Sequence, residues 1–257
     1  MTWLGVWLLG VGLADLVRGG GAHPSAEGRA RLAGVLGVVG AAVLGGLWSP
    51  LDVVVLAASL VALLLWLRWS QQSLTTGSGH VAALASLAGG AVWLVGLSGW
   101  AGDVGGPLAA WLGWAHVPGV LVGVEPGQVL LVAGLLLANL ATGNVVVRLV
   151  LVAIGAARPS GHVASAPGPD ASEQLRGGRL LGPMERVLII GLGLAGQLGA
   201  AGLVIAAKGL IRFPELQSKR SERESVDGVG IDEVTEYFLV GSFVSWLLAL
   251  GTLVLAR

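Results

Sequence analysis

The stretch with the clearest chemical signature is residues 185–209, which read ERVLIIGLGLAGQLGAAGLVIAAKG. Gly191, Gly193 and Gly196 have the Gly-x-Gly-x-x-Gly spacing of a turn that holds a dinucleotide pyrophosphate at a helix N-terminus. Glu215 follows at roughly the distance where such folds carry a ribose-binding acid, about 20 residues. That fold also needs a parallel sheet, and only 42 residues follow Glu215. We therefore predict no bound dinucleotide and no other cofactor.

The same small residues fit a different use, the close packing of membrane helices. Gly191, Ala195 and Gly199 are spaced four residues apart, so they share one face of a helix. Small residues at this spacing let a second helix approach closely, and close packing favours helix association in lipid. We predict that these three residues form a helix-packing face.

Polar residues follow the glycines on the same apolar stretch. Gln197 and Lys208 lie eleven residues apart and face nearly the same way, and Arg212 lies one further turn along. One interpretation is that Lys208 and Arg212 extend to the membrane surface. The other is a buried polar pathway, in which they pair with Glu236 or with Glu233 one turn earlier.

A second polar interruption lies in residues 129–156. Asn144 and Arg148 are i, i+4 neighbours on one helix face. They can serve as simple interhelical hydrogen-bonding groups. Alternatively the helix breaks near Asn144 and lines a polar cavity, where Arg148 binds an anion or a counter-charge. Asp15 and Asp52 are possible partners for Arg148, although helix capping or solvation at the membrane surface explains both acids more simply.

Other catalytic and binding signatures are lacking in the sequence. There is no cysteine, and no histidine has a second histidine or an acid at metal-ligand spacing on one predicted helix, so we predict no metal site. We find no P-loop, nucleophile elbow or pair of acids suited to hydrolysis, which favours a non-enzymatic role. The net charge is zero without a basic stripe, which argues against nucleic-acid binding.

Composition sets the elements that position these residues. Hydrophobic residues make up 54% of the 257 and charged residues only 12%, against about 25% in soluble domains. The apolar residues form blocks of about 16 to 28, the length that crosses a hydrocarbon core roughly 30 Å thick. We predict an all-α, polytopic bundle of about seven spans, with six to eight possible, in the plasma (inner) membrane.

The spans divide the chain into two membrane units. Residues 1–156 hold about five spans, with 107–124 an interfacial helix, a re-entrant hairpin or a further span. Residues 157–184 are rich in Pro, Gly, Ser and Ala and are predicted to be a flexible loop. Residues 185–257 form a two-span unit, Val187–Leu210 and Tyr237–Leu255, with a charged loop at 212–236.

The C-terminal third resembles an uncharacterised family of bacterial multi-pass membrane proteins, a domain of unknown function. The resemblance covers about residues 183–255 and rests on Glu185-Arg186, Gly196-Gln197, Ala206-Ala207-Lys208 with Arg212-Phe213, and Glu236-Tyr237 through Gly241-Ser242. The N-terminal half lacks the histidine-plus-acid pattern found at the start of that family. The resemblance implies no known activity, only that Gln197, Lys208, Arg212 and Glu236 form a functional unit.

Three functions remain open at this point. The clustering of polar residues in the C-terminal half favours a small-solute or ion transporter or channel with a polar path between helices. The alternative is a non-catalytic subunit of a membrane complex, whose small-residue faces dock other membrane chains or a second copy. The third is a membrane-embedded enzyme that modifies a lipid. In each case the expected partners are membrane lipids and other membrane chains.

Overall fold

A computed structural model describes residues 1–19, 24–115, 123–157, 178–223 and 231–256, and these residues form helices and short connections. The fold class of the described residues is therefore all-α, as predicted. The α-helices are α1 (Thr2–Arg18), α2 (Pro24–Gly45), α3 (Pro50–Thr76), α4 (His80–Gly96), α5 (Pro107–Trp114), α6 (Pro126–Leu140), α7 (Thr142–Ala153), α8 (Gly178–Leu194), α9 (Leu198–Arg223) and α10 (Ile231–Leu255).

Helix α1 lies at the centre of the bundle, surrounded by α2, α3, α4, α6 and α7. Thirteen of its 17 residues are buried, among them Trp3 and Trp7, which are almost fully inaccessible. A helix that is apolar on all sides is stable only when all sides are covered. The apolar sequence of α1 is thus explained by burial within the protein rather than by contact with lipid.

Glycines bring α1 close to its two main neighbours. A Cβ atom added to Gly5 would lie 2.6 Å from the backbone of Leu131 in α6. A Cβ atom added to Gly10 would lie 2.9 Å from the carbonyl oxygen of Gly34 in α2. Gly5 and Gly10 are about 140° apart around the helix axis. The backbone of α1 therefore touches one partner on each side.

Helix α3 runs parallel to α1 and is bonded to it near both ends. Trp3 Nε1 donates to Asp52 Oδ1 over 2.7 Å, and Trp66 Nε1 donates to Asp15 Oδ2 over 3.0 Å. Asp52 also forms a capping box with Ser49 at the start of α3, which confirms the predicted helix cap. The sequence suggested that Asp15 caps a helix or lies at the solvated membrane surface. In the structure Asp15 is only 4% exposed, so it does not lie at a solvated surface.

Asp15 is compensated inside the bundle by its own helix and by α3. Arg18 Nη2 donates to Asp15 Oδ1 over 2.6 Å, and Arg18 Nη1 donates to Ser70 Oγ over 2.8 Å. Both members of this ion pair are buried. A charge removed from water needs a partner of this kind, because isolated burial is strongly unfavourable.

Three helices in the described residues are long and apolar enough to cross a membrane: Ala26–Gly45, Pro50–Thr76 and Thr235–Leu255. The pair α6 and α7, bent by 45°, raises the number to four if it counts as one span. This count in the described residues does not support the seven predicted spans. Helices α1 and α4 have 17 residues each and cover about 25 Å, short of a hydrocarbon core of roughly 30 Å.

The outer surface of the bundle is apolar. Large side chains point outward from the candidate spans, including Leu32 at 60%, Val54 at 66% and Val254 at 76% exposure. Soluble monomers rarely expose extended apolar patches of this kind. The exposed apolar faces and the span lengths together indicate a membrane protein.

Two predicted loops contain helix. Helix α8 begins at Gly178, inside the stretch 157–184 that the sequence assigns to a flexible loop; residues 158–177 lie outside the described residues. Helix α9 continues to Arg223, so the first half of the charged segment 212–236 is helical. Helix α5 covers 107–114 and rises only about 12 Å, too little to cross a membrane by itself.

We expect Gly5→Ala to destabilise the bundle by about 1 to 3 kcal/mol, because the new methyl group overlaps the backbone of Leu131. Thermal unfolding in detergent measures the change. Gly40→Ala in α2 is the matched control, since an added Cβ there meets nothing within 4 Å. An unchanged midpoint for Gly5→Ala would show that α1 and α6 are not in backbone contact.

Candidate functional site

The polar centre of the C-terminal half is built where α6 ends and α7 begins. The two helices meet at Ala141 with a bend of 45°. The last turn of an α-helix leaves carbonyl groups without partners in the helix. The break therefore exposes backbone oxygens inside the bundle, and a donor has to satisfy them.

Arg186 of α8 supplies that donor and is 1% exposed. Its Nε donates to the carbonyl oxygen of Asn139 over 2.8 Å. Its Nη2 donates to Asn144 Oδ1 over 2.6 Å, and its Nη1 donates to Ser245 Oγ over 2.9 Å. One guanidinium thus joins α8 to α6, α7 and α10. We refer to these four residues as the arginine cluster.

The acceptors in the arginine cluster are neutral groups. Among the described residues, the ion pairs within 4.0 Å join other side chains, and none includes Arg186. The carbonyl of Asn139 lies at the C-terminal end of α6, where the helix dipole favours a positive charge. Hydrogen bonds to a charged donor are also stronger than neutral ones.

Gly143 makes the close approach of Arg186 possible. A Cβ atom added at this position would lie 2.9 Å from Arg186 Nε and 3.0 Å from its Cζ. Any side chain here would push the guanidinium away from the α6–α7 break. Thr142-Gly143-Asn144 therefore provides the bend between the helices, the space for the guanidinium and one acceptor for it. The sequence predicted only the helix break.

Glu185, the residue before Arg186, forms a second charged group on the other side of α8. Its Oε2 bonds to Lys208 Nζ of α9 over 2.5 Å, and its Oε1 accepts from Trp246 Nε1 of α10 over 2.7 Å. Lys208 Nζ also lies 5.8 Å from the ring centre of Trp246, within cation–π range. The side chains of Lys208 and Glu185 are 22% and 9% exposed. We call this the glutamate–lysine pair.

The glycine motif of the sequence ends a helix rather than cradling a phosphate. Gly196 has φ 76°, and the amide of Gln197 donates to the carbonyl of Leu192 while that of Gly196 donates to Gly193. These two bonds and the left-handed glycine define a Schellman motif at the C-terminus of α8. The predicted single span Val187–Leu210 is therefore wrong: it is a hairpin of α8 and α9.

The hairpin separates the residues of the predicted polar stripe. Gln197 is exposed at the turn, whereas Lys208 lies about 16 Å further along α9 and turns to Glu185. Glu236 is exposed on α10, and Lys208 does not pair with it. The side chains of Arg212 and Glu233 lie outside the described residues.

The polar residues of α7 take different roles. Asn144 binds the guanidinium of Arg186, so a polar site does form at the predicted helix break. Arg148 is partly buried on α7 and has an interaction of its own. The two acids suggested as partners of Arg148 make other bonds: Asp15 binds Arg18, and Asp52 binds Trp3.

The predicted packing face does not form on one helix, because the turn at Gly196 leaves Gly191 on α8 and places Gly199 on α9. A Cβ atom added to Gly191 or Gly199 meets nothing within 4 Å, and Ala195 is exposed. The glycine that packs closely is Gly193, where an added Cβ would overlap the side chain of Leu253 in α10. Packing of the Gly191 face against another chain stays a prediction.

Sequence reasoning overlooked the residues that organise the site. Glu185 and Arg186 were named only as part of the family resemblance, and Ser245 and Trp246 lay without comment in the predicted span Tyr237–Leu255. The spacing of the charges could have indicated the site. Glu185 and Arg186 stand at one end of an apolar run, and Lys208 stands near its other end. A hairpin places such charges side by side, and a straight helix does not.

Comparisons with known proteins identify no relative. No protein-family model matches the chain, and neither a curated protein nor a solved structure matches it. The resemblance of residues 183–255 to an uncharacterised bacterial family therefore stays a prediction.

We expect Arg186→Lys to destabilise the protein, because an ammonium group keeps the charge but cannot reach oxygens on three helices at once. Each buried acceptor left without a donor costs about 1 to 3 kcal/mol. Denaturant or thermal unfolding in detergent gives the difference. Arg31→Lys, in the exposed pair with Glu27 on α2, is the control and should change little. Equal stability of both variants would contradict the assignment.

We expect Gly196→Ala to destabilise the hairpin by about 1 to 2 kcal/mol, because φ 76° is unfavourable for a residue with a Cβ atom. Gly199→Ala, three residues later in α9, should be neutral or slightly stabilising, since the added Cβ has open space. Thermal midpoints of the two variants in the same detergent provide the comparison. If a straight helix ran through residue 196, both substitutions would stabilise the protein by a similar amount, and the difference between them would disappear.

Proposed function

We propose that this chain is an integral membrane protein that moves a small solute or ion along a polar path formed by α8, α9 and α10. The observation that carries the proposal is the glutamate–lysine pair, which lies beside the buried Arg186 next to the apolar parts of α8, α9 and α10. Charged groups in such surroundings are costly and typically belong to a transport or relay site.

Stability alone gives a weak reason for such a pair. Removing two charges from water costs several kcal/mol per ion, and an apolar pair of similar size is often at least as stable. Lys208 keeps 22% of its side chain exposed, so it can leave Glu185 without entering a closed interior. Arg186 has no such freedom, because three helices hold it. The site thus combines a fixed charge with a movable pair.

The chemistry of the pair favours the proton as the first ion to test. When Glu185 takes up a proton, its bond to Lys208 loses its ionic character, while Trp246 still binds the ammonium through its ring face. Release of the proton restores the pair. In this cycle α9 takes one position relative to α8 when the ion pair is closed and another when it is open. The two helices are joined at the Gly196 turn.

Proton flux into liposomes tests the proposal. The purified chain is reconstituted with the pH-sensitive dye pyranine inside, and a potassium gradient with valinomycin sets the membrane potential. We expect the protein to increase proton entry, and Glu185→Gln to reduce the increase at least about tenfold, since the amide cannot exchange a proton. Lys208→Met should reduce it as well.

Glu27→Gln is the matched control for this experiment. It changes the same residue type in an ion pair with Arg31, but that pair lies on the exposed side of α2. Its flux should equal that of the unmodified protein. Unchanged flux in both Glu185→Gln and Lys208→Met, measured on folded protein, would refute a role of the pair in transport.

The second candidate is a non-catalytic subunit of a membrane complex, and one observation favours it. The outer face of the α8–α9 hairpin combines open glycines, Gly191 and Gly199, with the exposed side chains of Leu188 and Leu203. Another helix could approach this face closely. A mass measurement in native detergent after mild extraction discriminates between the transport role and the subunit role. A stable hetero-complex whose isolated chain shows no flux would favour the subunit role.

A further inference from the structure

We propose that one water molecule binds at the α6–α7 break and joins the Asp15–Arg18 ion pair to the arginine cluster. Two buried polar atoms flank this break without a hydrogen-bond partner among the described residues: Asn139 Oδ1 and Thr142 Oγ1. Their residues are 5% and 2% exposed. Buried polar atoms in proteins are almost always paired, by protein groups or by ordered water.

The orientation of the Asn139 amide is fixed by its neighbours. Its Nδ2 donates to the carbonyl of Leu135 over 2.9 Å and to Thr252 Oγ1 over 2.7 Å. A carbonyl oxygen only accepts, and Thr252 Oγ1 already donates to the carbonyl of Leu248. The nitrogen of Asn139 must therefore face both groups. This leaves Oδ1 as an acceptor in need of a donor.

Thr142, the first residue of α7, supplies the second atom. Its hydroxyl lies near the carboxyl group of Asp15, because Gly12, one turn before Asp15, packs against the backbone of Ala138 at the end of α6. No hydrogen bond of normal length and angle joins the two groups. The hydroxyl can both donate and accept. A water beside it can donate to Asn139 Oδ1, accept from Thr142 and donate to Asp15. Three polar partners are the usual number for a buried water.

The charges around the break favour water over a cation. Asp15 is neutralised by Arg18, with a separation of 2.6 Å, and Arg186 adds an unpaired positive charge at the carbonyl of the same Asn139. A metal cation would be repelled by Arg186 and would need more oxygen ligands than these three side chains offer. A neutral molecule that both donates and accepts fits the site.

The bound water makes a single polar line across the bundle. It would connect Ser70 and Arg18 on one side to Asn139, Arg186 and Ser245 on the other. The line crosses α3, α1, the α6–α7 break, α8 and α10. A change in the protonation of Asp15 would then act on the position of Arg186, although the two side chains belong to different halves of the chain.

The sign of a stability change tests for the water. Thr142→Val has nearly the same shape as threonine and removes only the hydroxyl. If water bridges the two oxygens, its loss should lower the thermal midpoint in detergent by about 2 to 4 °C. If the hydroxyl is unpaired, valine removes an unsatisfied polar group, and the midpoint should rise. A rise would overturn the proposal.

A second comparison separates the effect of the lost hydroxyl from the effect of changed packing. Thr142→Ser and Thr142→Ala both lack the methyl group, and only serine keeps the hydroxyl. We expect the serine variant to have the higher midpoint, and equal midpoints would refute the water site. Replacing sodium chloride with choline chloride identifies the ligand further. A midpoint that depends on sodium in the unmodified protein, but not in Thr142→Val, would mean that a cation binds there instead.

Discussion

The rest of the structure depends on one electrostatic requirement, the need of a buried guanidinium for oxygen partners. Arg186 lies in apolar surroundings where water cannot solvate it. The protein meets the requirement with a broken helix, because an α-helix offers an unpaired carbonyl only where it ends. Gly143 clears the space, and Asn144 and Ser245 complete the set of acceptors. The bend between α6 and α7 is thus tied to a charge on a different helix.

The same requirement shapes the other half of the bundle, with a different solution. The carboxyl group of Asp15 is paired with the positive charge of Arg18, and Trp66 is a further hydrogen-bond donor to it. The N-terminal helices can therefore be regular, and their close contacts rest on glycine. In the C-terminal half, the glutamate–lysine pair lies at the edge of the buried region rather than in it. The two halves differ in how freely their charges can separate.

The sequence predicted the helical class, and it offered a capping role for Asp52 and a polar helix break near Asn144 each as one of two interpretations. These features depend on local composition, on capping residues and on a short polar run. The span count could not be predicted, because apolar content does not say whether a helix is covered by lipid or by protein. Helix α1 shows this: its sequence resembles a span, yet the other helices bury it.

The partners of the charges also could not be read from the sequence. Whether Lys208 faces Glu185 or Glu236 depends on the left-handed conformation of Gly196, which reverses the chain direction. From the sequence alone, a glycine at position 196 is compatible both with a continuous membrane helix and with the end of a helix. Arg186 was overlooked for a related reason, since its three acceptors come from residues 42 to 59 positions away along the chain.

The central position of α1 has a consequence for the order in which the protein is made. Gly5 touches Leu131, which follows 126 residues later in the chain, so the ribosome completes α1 well before α6, one of its two main neighbours, exists. At synthesis rates of about 5 to 20 residues per second, the gap lasts roughly 6 to 25 s. During that time α1 has α2 beside it, but the face that carries Gly5 and Gly12 stays uncovered. The innermost helix of the bundle is thus synthesised before α6 and can be enclosed only once α6 arrives.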